Sequence, residues 1–489
     1  MTEISDCVKT FPINPFIIGT MEEFYDVIIV GGGPMGLAAA YECSVKEGKK
    51  VLLLEQFNNF ANVHGSSPGY SRQYRIAYSE MNLCDLALKT YDMWMKLQEE
   101  MNDESLLQVT GCLWFGDSTV ESGEGNIDQA IKNLKKLGQE EGKDYIVLEG
   151  KEEVMNDPRF TFVSCAVADI DNAKALFTEK GGTVNVPSVV QRYVEKLTAS
   201  TNATLKLKTR VIKIDHSLED SVKVTALVDG NEKTYKGTKI ILTPGAYVNE
   251  TLDALTPCFN QRINLIIHLW CSTYYTKKRK SASNTDPAQW PIWYFFGPKP
   301  EDDGSDAPKD YNDYYGFPSE AGSPEYLRVA PAYTSRKEFD FMFFPPDVNQ
   351  RPVDVDALKF TTDFVEKSTP DLGPSSNADK ETTCIAGFAQ LNKDVSGPDQ
   401  GAGFVLDFLP KSKRIVVFTG GWAMKFVPMI GKILADLAIR GKTEYQDLID
   451  PMNINRGILV DVSDCEAKRL MVSKMRVIQK WKTFRKIWC

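Results

Sequence analysis

Short apolar runs closed by glycine or proline punctuate this chain, and longer amphipathic stretches separate them. Val27-Ile28-Ile29-Val30 is continuous and apolar, as a strand buried on both faces requires. Gly31 to Gly36 follow at once, Leu37 to Ser44 continue as a helix, and Lys49 to Leu54 form a second buried strand. Strand, glycine turn, helix and strand make the βαβ unit of a parallel sheet. Further on, Met81 to Met101 has helical spacing through Leu83, Leu86, Leu88, Tyr91, Trp94 and Leu97. The acidic stretch Glu121 to Lys151 reads as surface helix, and Val184 to Ala199 as another helix. Leu205 to Lys208, Val211 to Ile214 and Lys239 to Thr243 read as strands, the last ending in Pro244-Gly245. Residues from about 260 to 344 are rich in aromatic and β-branched side chains, which predicts a mostly antiparallel sheet. Gly297 to Lys309 interrupts it as a Pro/Gly/Asp-rich loop. Ile415 to Thr419 is a last core strand, followed by Gly420-Gly421 and a helix around Met429 to Ile439. No internal repeat is visible.

Length changes this picture first: 489 residues exceed one compact core and should divide into two or three domains. Hydrophobic residues at 43% and charged residues at 25% are ordinary for a globular protein. A formal net charge of -9 gives no basic surface for a phosphate backbone, so nucleic acid is not an expected partner. Ten cysteines without a CxxC pair point to reduced thiols in an intracellular, cytoplasmic setting. The three histidines, His64, His216 and His268, are far apart and suggest neither a metal site nor a Ser-His-Asp hydrolase. No apolar run reaches 18 residues, so no spanning helix is expected. Residues 1–24 lack a signal-peptide pattern and read as an extension, and Ile487-Trp488-Cys489 is neither a peroxisomal tripeptide nor a CaaX box. The last 24 residues carry eight Lys or Arg against one Glu, with Leu470, Val477, Trp481, Phe484 and Trp488 near one helical face. A basic helix docked on the body is favoured there over a membrane or partner-protein contact.

Chemistry enters at Gly31-Gly32-Gly33-Pro34-Met35-Gly36, a G-x-G-x-x-G pattern. Gly31 permits the tight turn, Gly33 lets a diphosphate approach the backbone, and Gly36 lets helix and strand pack closely. The diphosphate then sits on the helix N-terminus, where unpaired N–H groups point at it. Alone the pattern is weak, but here it follows a strand and opens a helix. Glu55 ends the second strand 19 residues after Gly36, near the ~20 expected for the acid that binds ribose hydroxyls. A carboxylate there repels a 2′-phosphate and so argues against NADP. His64 to Arg75 is a loop of small residues with two arginines, and Thr419 to Pro428 is a strand-to-helix junction carrying Gly420, Gly421 and Lys425. Both suit a cofactor contacted by separated segments, as a flavin is; solvated surface arginines are the plainer alternative.

Several blocks together give a resemblance. They are the fingerprint, Gly65-Ser66-Ser67, Arg72 and Arg75, Thr110 to Gly116, Thr243-Pro244-Gly245-Ala246, Tyr315-Gly316-Phe317-Pro318 and Lys425-Phe426. Their order resembles that of sarcosine oxidase-like proteins, of the D-amino acid oxidase superfamily, from about Asp26 to Thr443. The resemblance implies an α/β plus β fold: a Rossmann-like FAD-binding domain from discontinuous segments (25–115, 181–258 and 376–460) and a mixed, mostly antiparallel substrate sheet (116–180 and 259–375). Residues 1–24 and 461–489 lie outside it as the extension and the basic helix.

It also implies FAD as cofactor and oxidation of a C–N bond, with electrons usually passing to O2. Matched residue by residue, Arg75 and Lys425 are the two cations for a substrate carboxylate. Arg72 is a further basic position by the flavin, and Val211 the position whose backbone faces the adenine. Gly31, Gly33, Pro34, Met35, Gly36, Glu55, Gln56, Ser66, Ser67, Gly245, Gly420 and Gly421 are the remaining expected cofactor contacts. Cys384 falls where sarcosine oxidases attach FAD through a thioether; the alternative is a small buried hydrophobe.

Two departures stand out. The family pattern Gly-His-Gly-Phe-Lys-Phe reads Gly421-Trp422-Ala423-Met424-Lys425-Phe426 here, which argues against sarcosine itself as substrate. The family's lysine over the flavin has Arg328 as its nearest counterpart, which keeps the positive charge that favours O2 reduction. The aromatic run Trp290 to Phe296 reads as sheet core ahead of a substrate cage. Three functions stay open: an oxidase of a small carboxylated amine, a dehydrogenase passing electrons to a protein or quinone, and a flavin-binding interaction protein.

Overall fold

A computed structural model describes residues 23–276, 290–298, 312–320, 323–332, 354–369, 382–396 and 401–461, with Pro345, Leu372 and Asp399 as isolated positions. The expected basic C-terminal helix, the N-terminal extension and most of the Gly297–Lys309 loop lie outside these residues.

The first apolar run is the strand Phe24–Val30, flanked by Val51–Leu54 on one side and Asn231–Leu242 on the other, all parallel. Ala203–Lys206 and Ile415–Thr419 extend this parallel core, and Thr209–Asp215 and Val222–Val228 join antiparallel. Among the described residues this sheet has nine strands. Alternate residues of the first strand serve different cores, as a strand's two-residue period demands. Val27 and Ile29 join the core built around the helices, and Ile28 and Val30 join the core on the other face. The helix Pro34–Tyr41 starts with proline at its first turn, where a missing N–H costs nothing. It crosses Val427–Arg440 so closely that a Cβ on Gly431 would lie 2.6 Å from the Ala38 Cβ.

A second sheet runs in the order Thr382–Ala389, Leu265–Thr276, Ser323–Pro331, Tyr314–Glu320, Ile292–Phe296, Cys112–Asp117, Ala173–Thr178, Tyr145–Glu149. Every neighbouring pair is antiparallel except Ile292–Phe296 with Cys112–Asp117. Trp293 and Phe295 face one core while Tyr294 and Phe296 face another, so the aromatic run is sheet core on both sides. The fold class is the α/β plus β arrangement anticipated above.

Three local expectations need correction. Glu121–Lys151 is not one helix: it holds a turn at Ser122–Gly125, a helix at Ile127–Lys136 and a strand at Tyr145–Glu149. Gly138 takes φ +78°, a left-handed value that ends the helix. The segment from Val184 begins as the strand Gly182–Asn185, and the helix starts at Val186 because the Asn185 side chain accepts from the Ser188 amide at 3.2 Å. The thiols are not all reduced either. Cys43, Cys84, Cys112, Cys165 and Cys271 are free, but Cys258 is disulfide-bonded.

Candidate active site

The glycine turn sits at the C-terminal edge of the parallel sheet, where open α/β sheets bind ligands. Gly31 has φ +107°, and a Cβ on it would lie 2.4 Å from the Thr243 carbonyl oxygen. A Cβ on Gly36 would lie 1.9 Å from the Gly31 oxygen, which is the close strand–helix contact the fingerprint requires. Gly33 differs: nothing stands within 4 Å of the Cβ position, so the backbone there faces open space. Among the described residues the amides of Gly33, Met35 and Gly36 make no hydrogen bond. Three unused donors at a helix start, beside an open glycine, have the donor chemistry that a diphosphate requires. Glu55 is buried and accepts from the Gly32 amide at 2.7 Å and the Phe57 amide at 2.9 Å. Burial raises its pKa and those backbone donors oppose the rise. Besides any ribose contact, Glu55 therefore pins the turn itself. The residues present fit the ADP portion of FAD.

The rest of the rim is assembled from distant segments. Gly245 has φ +58° with no atom near its Cβ position, and its carbonyl accepts from the Thr419 hydroxyl at 3.0 Å. Val211 is partly buried in the strand Thr209–Asp215, opposite Ala226. Arg72 holds the small-residue loop together, donating to the carbonyls of Ser66 at 2.8 Å and Pro68 at 2.7 Å. Arg328 reaches across from the second sheet to donate to the Ser71 carbonyl at 2.6 Å. Gly69 is flanked by both guanidinium groups, at 3.7 and 3.8 Å from its Cβ position. Gly420 and Gly421 have a different reason to be glycine: their Cβ positions fall 2.5 Å from Phe404 and 2.7 Å from Ala386, so protein fills that space. Ala386 belongs to the strand Thr382–Ala389, in which Cys384 pairs with Trp270.

Arg75 and Lys425, 350 positions apart, meet in one buried cluster. Arg75 directly follows the strand Ser71–Tyr74, and Lys425 lies in the turn Ala423–Phe426, whose backbone is anchored by Trp94 donating to the Lys425 carbonyl at 2.7 Å. Arg75 is 2% exposed and Lys425 7%. The Arg75 guanidinium lies 4.6 Å from the Tyr78 ring centre and 4.9 Å from Trp114; the Lys425 ammonium lies 5.4 Å from Tyr78 and 4.5 Å from Trp422. Aromatic faces attract both cations and give them no hydrogen-bond acceptor. The Lys425 ammonium has no hydrogen-bond or ion-pair partner among the described residues. Burial, and then the Arg75 charge, push its pKa well below the usual lysine value.

Two carboxyls missed in the sequence reading belong here. Glu124 pairs with Arg75 through Nη2, and a third of its side chain is exposed. Burial works against its charge, but Arg75 and Lys425 outweigh it and hold the carboxyl below its usual range. Asp313 is buried and accepts from the Gly297 amide at 3.3 Å and the Tyr294 hydroxyl at 3.4 Å. Burial lifts its pKa to about 7. A signal for Glu124 was present: Ser122-Gly123-Glu124-Gly125-Asn126 is turn chemistry inside the presumed helix. Among the described residues, no cluster of three or more His, Cys, Asp or Glu is placed to hold a metal, and no helix is long and apolar enough to cross a membrane.

Known proteins resemble this chain in sequence and fold. The family model described as FAD dependent oxidoreductase matches residues 26–437. The chain is 26% identical over 449 residues to the monomeric sarcosine oxidase of Arthrobacter sp., covering 90% of this chain and 98% of that one. It is 24% identical to human peroxisomal sarcosine oxidase, with the same coverage. A Dictyostelium discoideum protein provisionally named a bifunctional amine oxidase is 30% identical over 452 residues, but this chain spans only 37% of its length. Among solved structures, NikD, an unusual amino acid oxidase essential for nikkomycin biosynthesis, superposes with a TM-score of 0.68 at 26% identity, covering 88% of this chain and 97% of NikD. Glycine oxidase from Geobacillus kaustophilus shares the fold, with a TM-score of 0.61 at 16% identity and coverage of 88% and 99%. With its nucleotide cradle and buried cation pair, the chain belongs to the FAD dependent oxidoreductase family and is an FAD-dependent oxidoreductase of amines or amino acids.

Proposed function

We propose that the protein oxidises the C–N bond of a small amine bearing one carboxylate to the imine, with O2 reduced to H2O2. The observation carrying this reading is the buried pair Arg75 and Lys425, in which the lysine ammonium has aromatic neighbours and, among the described residues, no anionic partner of its own. A substrate carboxylate supplies the missing acceptor and orients the amine. Trp114, Tyr78 and Trp422 flank the two cations, whose burial strengthens the charge pairing. Gly31, Gly33, Pro34, Met35, Gly36, Glu55, Gln56 and Val211 hold the ADP end of FAD in this reading, and Ser66, Ser67, Arg72 and Gly245 line its approach. When bound, FAD supplies the two-electron acceptor that the protein side chains lack. Arg328, joined to the Ser71 carbonyl, keeps a positive charge beside Arg72 for the reduction of O2. The segments assigned above to the two domains, and a cytoplasmic setting, rest on the sequence reading.

Anaerobic mixing of the holoenzyme with a panel of amines tests the proposal. Carboxylated amines should bleach the oxidised flavin band while their decarboxylated counterparts do not; bleaching indifferent to the carboxylate rejects the clamp. A second reading is a dehydrogenase using a protein or quinone acceptor. Under air, one mole of peroxide per mole of amine supports the oxidase, and turnover only with an artificial dye supports the dehydrogenase. Attachment of FAD through Cys384 is proposed from the resemblance alone. The denatured wild-type polypeptide should then keep a fluorescent flavin band that Cys384→Ala abolishes; flavin released from the wild type would exclude the thioether.

A further inference from the structure

The turn that carries Glu124 is built to hold it against Arg75. Ser122 and Gly125 exchange backbone hydrogen bonds at 2.9 and 3.0 Å, and the Glu124 amide donates to the Ser122 hydroxyl at 3.0 Å. Gly125 has φ +89°, and its Cβ position lies 1.9 Å from the Ser79 hydroxyl oxygen, so no larger residue lets the turn seat this deeply. That same hydroxyl accepts from the Asn126 amide at 2.8 Å. Ser79 is only four residues beyond Arg75, and Asn133 ties the following helix to the Tyr78 and Ser79 carbonyls. The carboxylate is thus fixed on the guanidinium from two sides of the chain. It is also charged, because the two cations overcome the cost of burial.

We infer that Glu124 is a specificity-determining residue: as a resident counter-ion on Arg75 it leaves Lys425 as the open cation, so the site admits amines with one carboxylate and rejects those with a second. Arg75 and Glu124 neutralise each other, and burial favours the neutral forms of the neighbouring Glu80 and Asp313, so Lys425 is the cation that one ligand carboxylate neutralises. A second carboxylate meets the Glu124 charge beside the buried Arg75 and Lys425, where like charges repel more strongly than in bulk water. Without Glu124 the same two cations would suit a dicarboxylate. The inference rests on the clamp reading proposed above.

Acetate and malonate, which differ by one carboxylate, make the test. Each is titrated into oxidised holoenzyme, followed by calorimetry and by the perturbation of flavin absorbance. Wild-type enzyme should bind acetate more tightly than malonate. In Glu124→Gln the ratio of dissociation constants should move at least about tenfold toward malonate, whereas Glu124→Asp should keep the wild-type order. Lys425→Met should lose acetate binding. An unchanged ratio in Glu124→Gln beside lost acetate binding in Lys425→Met overturns the role of Glu124 alone. Acetate binding that ignores Lys425→Met overturns the clamp, and this inference with it. Tighter binding of malonate than acetate by the wild type is fatal without any variant.

Discussion

Gly33→Ala should yield a protein that folds as well as the parent yet purifies nearly colourless. Gly33 adopts φ -72° and ψ 175°, a conformation open to any residue, and no protein atom lies within 4 Å of where the methyl would point. Nothing in the folded chain therefore resists alanine. The methyl instead enters the open space at the helix start, where the diphosphate needs close backbone approach. A weakening of FAD binding by about 2–3 kcal/mol, roughly a hundredfold, is expected from one methyl in a tight contact. Gly36→Ala is the contrast. Its Cβ would sit 1.9 Å from the Gly31 oxygen and 2.8 Å from the Thr243 hydroxyl, so strand and helix must separate. That variant should lose both colour and thermal stability of the flavin-free protein. Flavin absorbance per chain and the melting temperature of apoprotein check the pair; full flavin content in Gly33→Ala would show that the cradle holds no cofactor.

Lys425→Met should reduce kcat/KM for a carboxylated amine by about ten- to a hundredfold, the worth of a charge-assisted hydrogen bond of roughly 1.5–3 kcal/mol. Methionine keeps the length and apolar body of the side chain, so Trp422 and Tyr78 stay covered and only the charge is removed. The pH dependence follows from the sign of the shift. Burial and Arg75 lower the pKa of the free enzyme's ammonium, while a bound carboxylate favours the protonated form and raises it again. Affinity is thus greatest below the lowered pKa and falls as pH rises through it. Between the free and bound values, binding takes up a proton. Calorimetry of acetate binding in buffers of different ionisation enthalpy should register that uptake in the wild type and none in Lys425→Met. Proton-independent binding in both would remove Lys425 from the site.

Much of this was legible from local pattern. Val27 to Val30, Met81 to Met101 and Ile415 to Thr419 became the elements expected because each is a run whose burial follows from its own periodicity. The glycine turn was readable too, since the strand, the helix start and Glu55 lie within one βαβ unit. The second sheet was visible as composition but not as order. Its single parallel pairing, between Ile292–Phe296 and Cys112–Asp117, joins strands nearly 180 residues apart.

What local pattern could not encode was which charges meet. By itself the sequence determined the strand–turn–helix unit, because glycine conformations and short apolar runs act over a few residues. Tertiary structure alone decided that Arg75 faces Glu124 and that Lys425 makes no ion pair among the described residues, and it set the Cβ positions of Gly420 and Gly421 against Phe404 and Ala386. The physical reason is range. A charge's partner is chosen by folding together segments tens to hundreds of residues apart, and burial then fixes the value of that pairing.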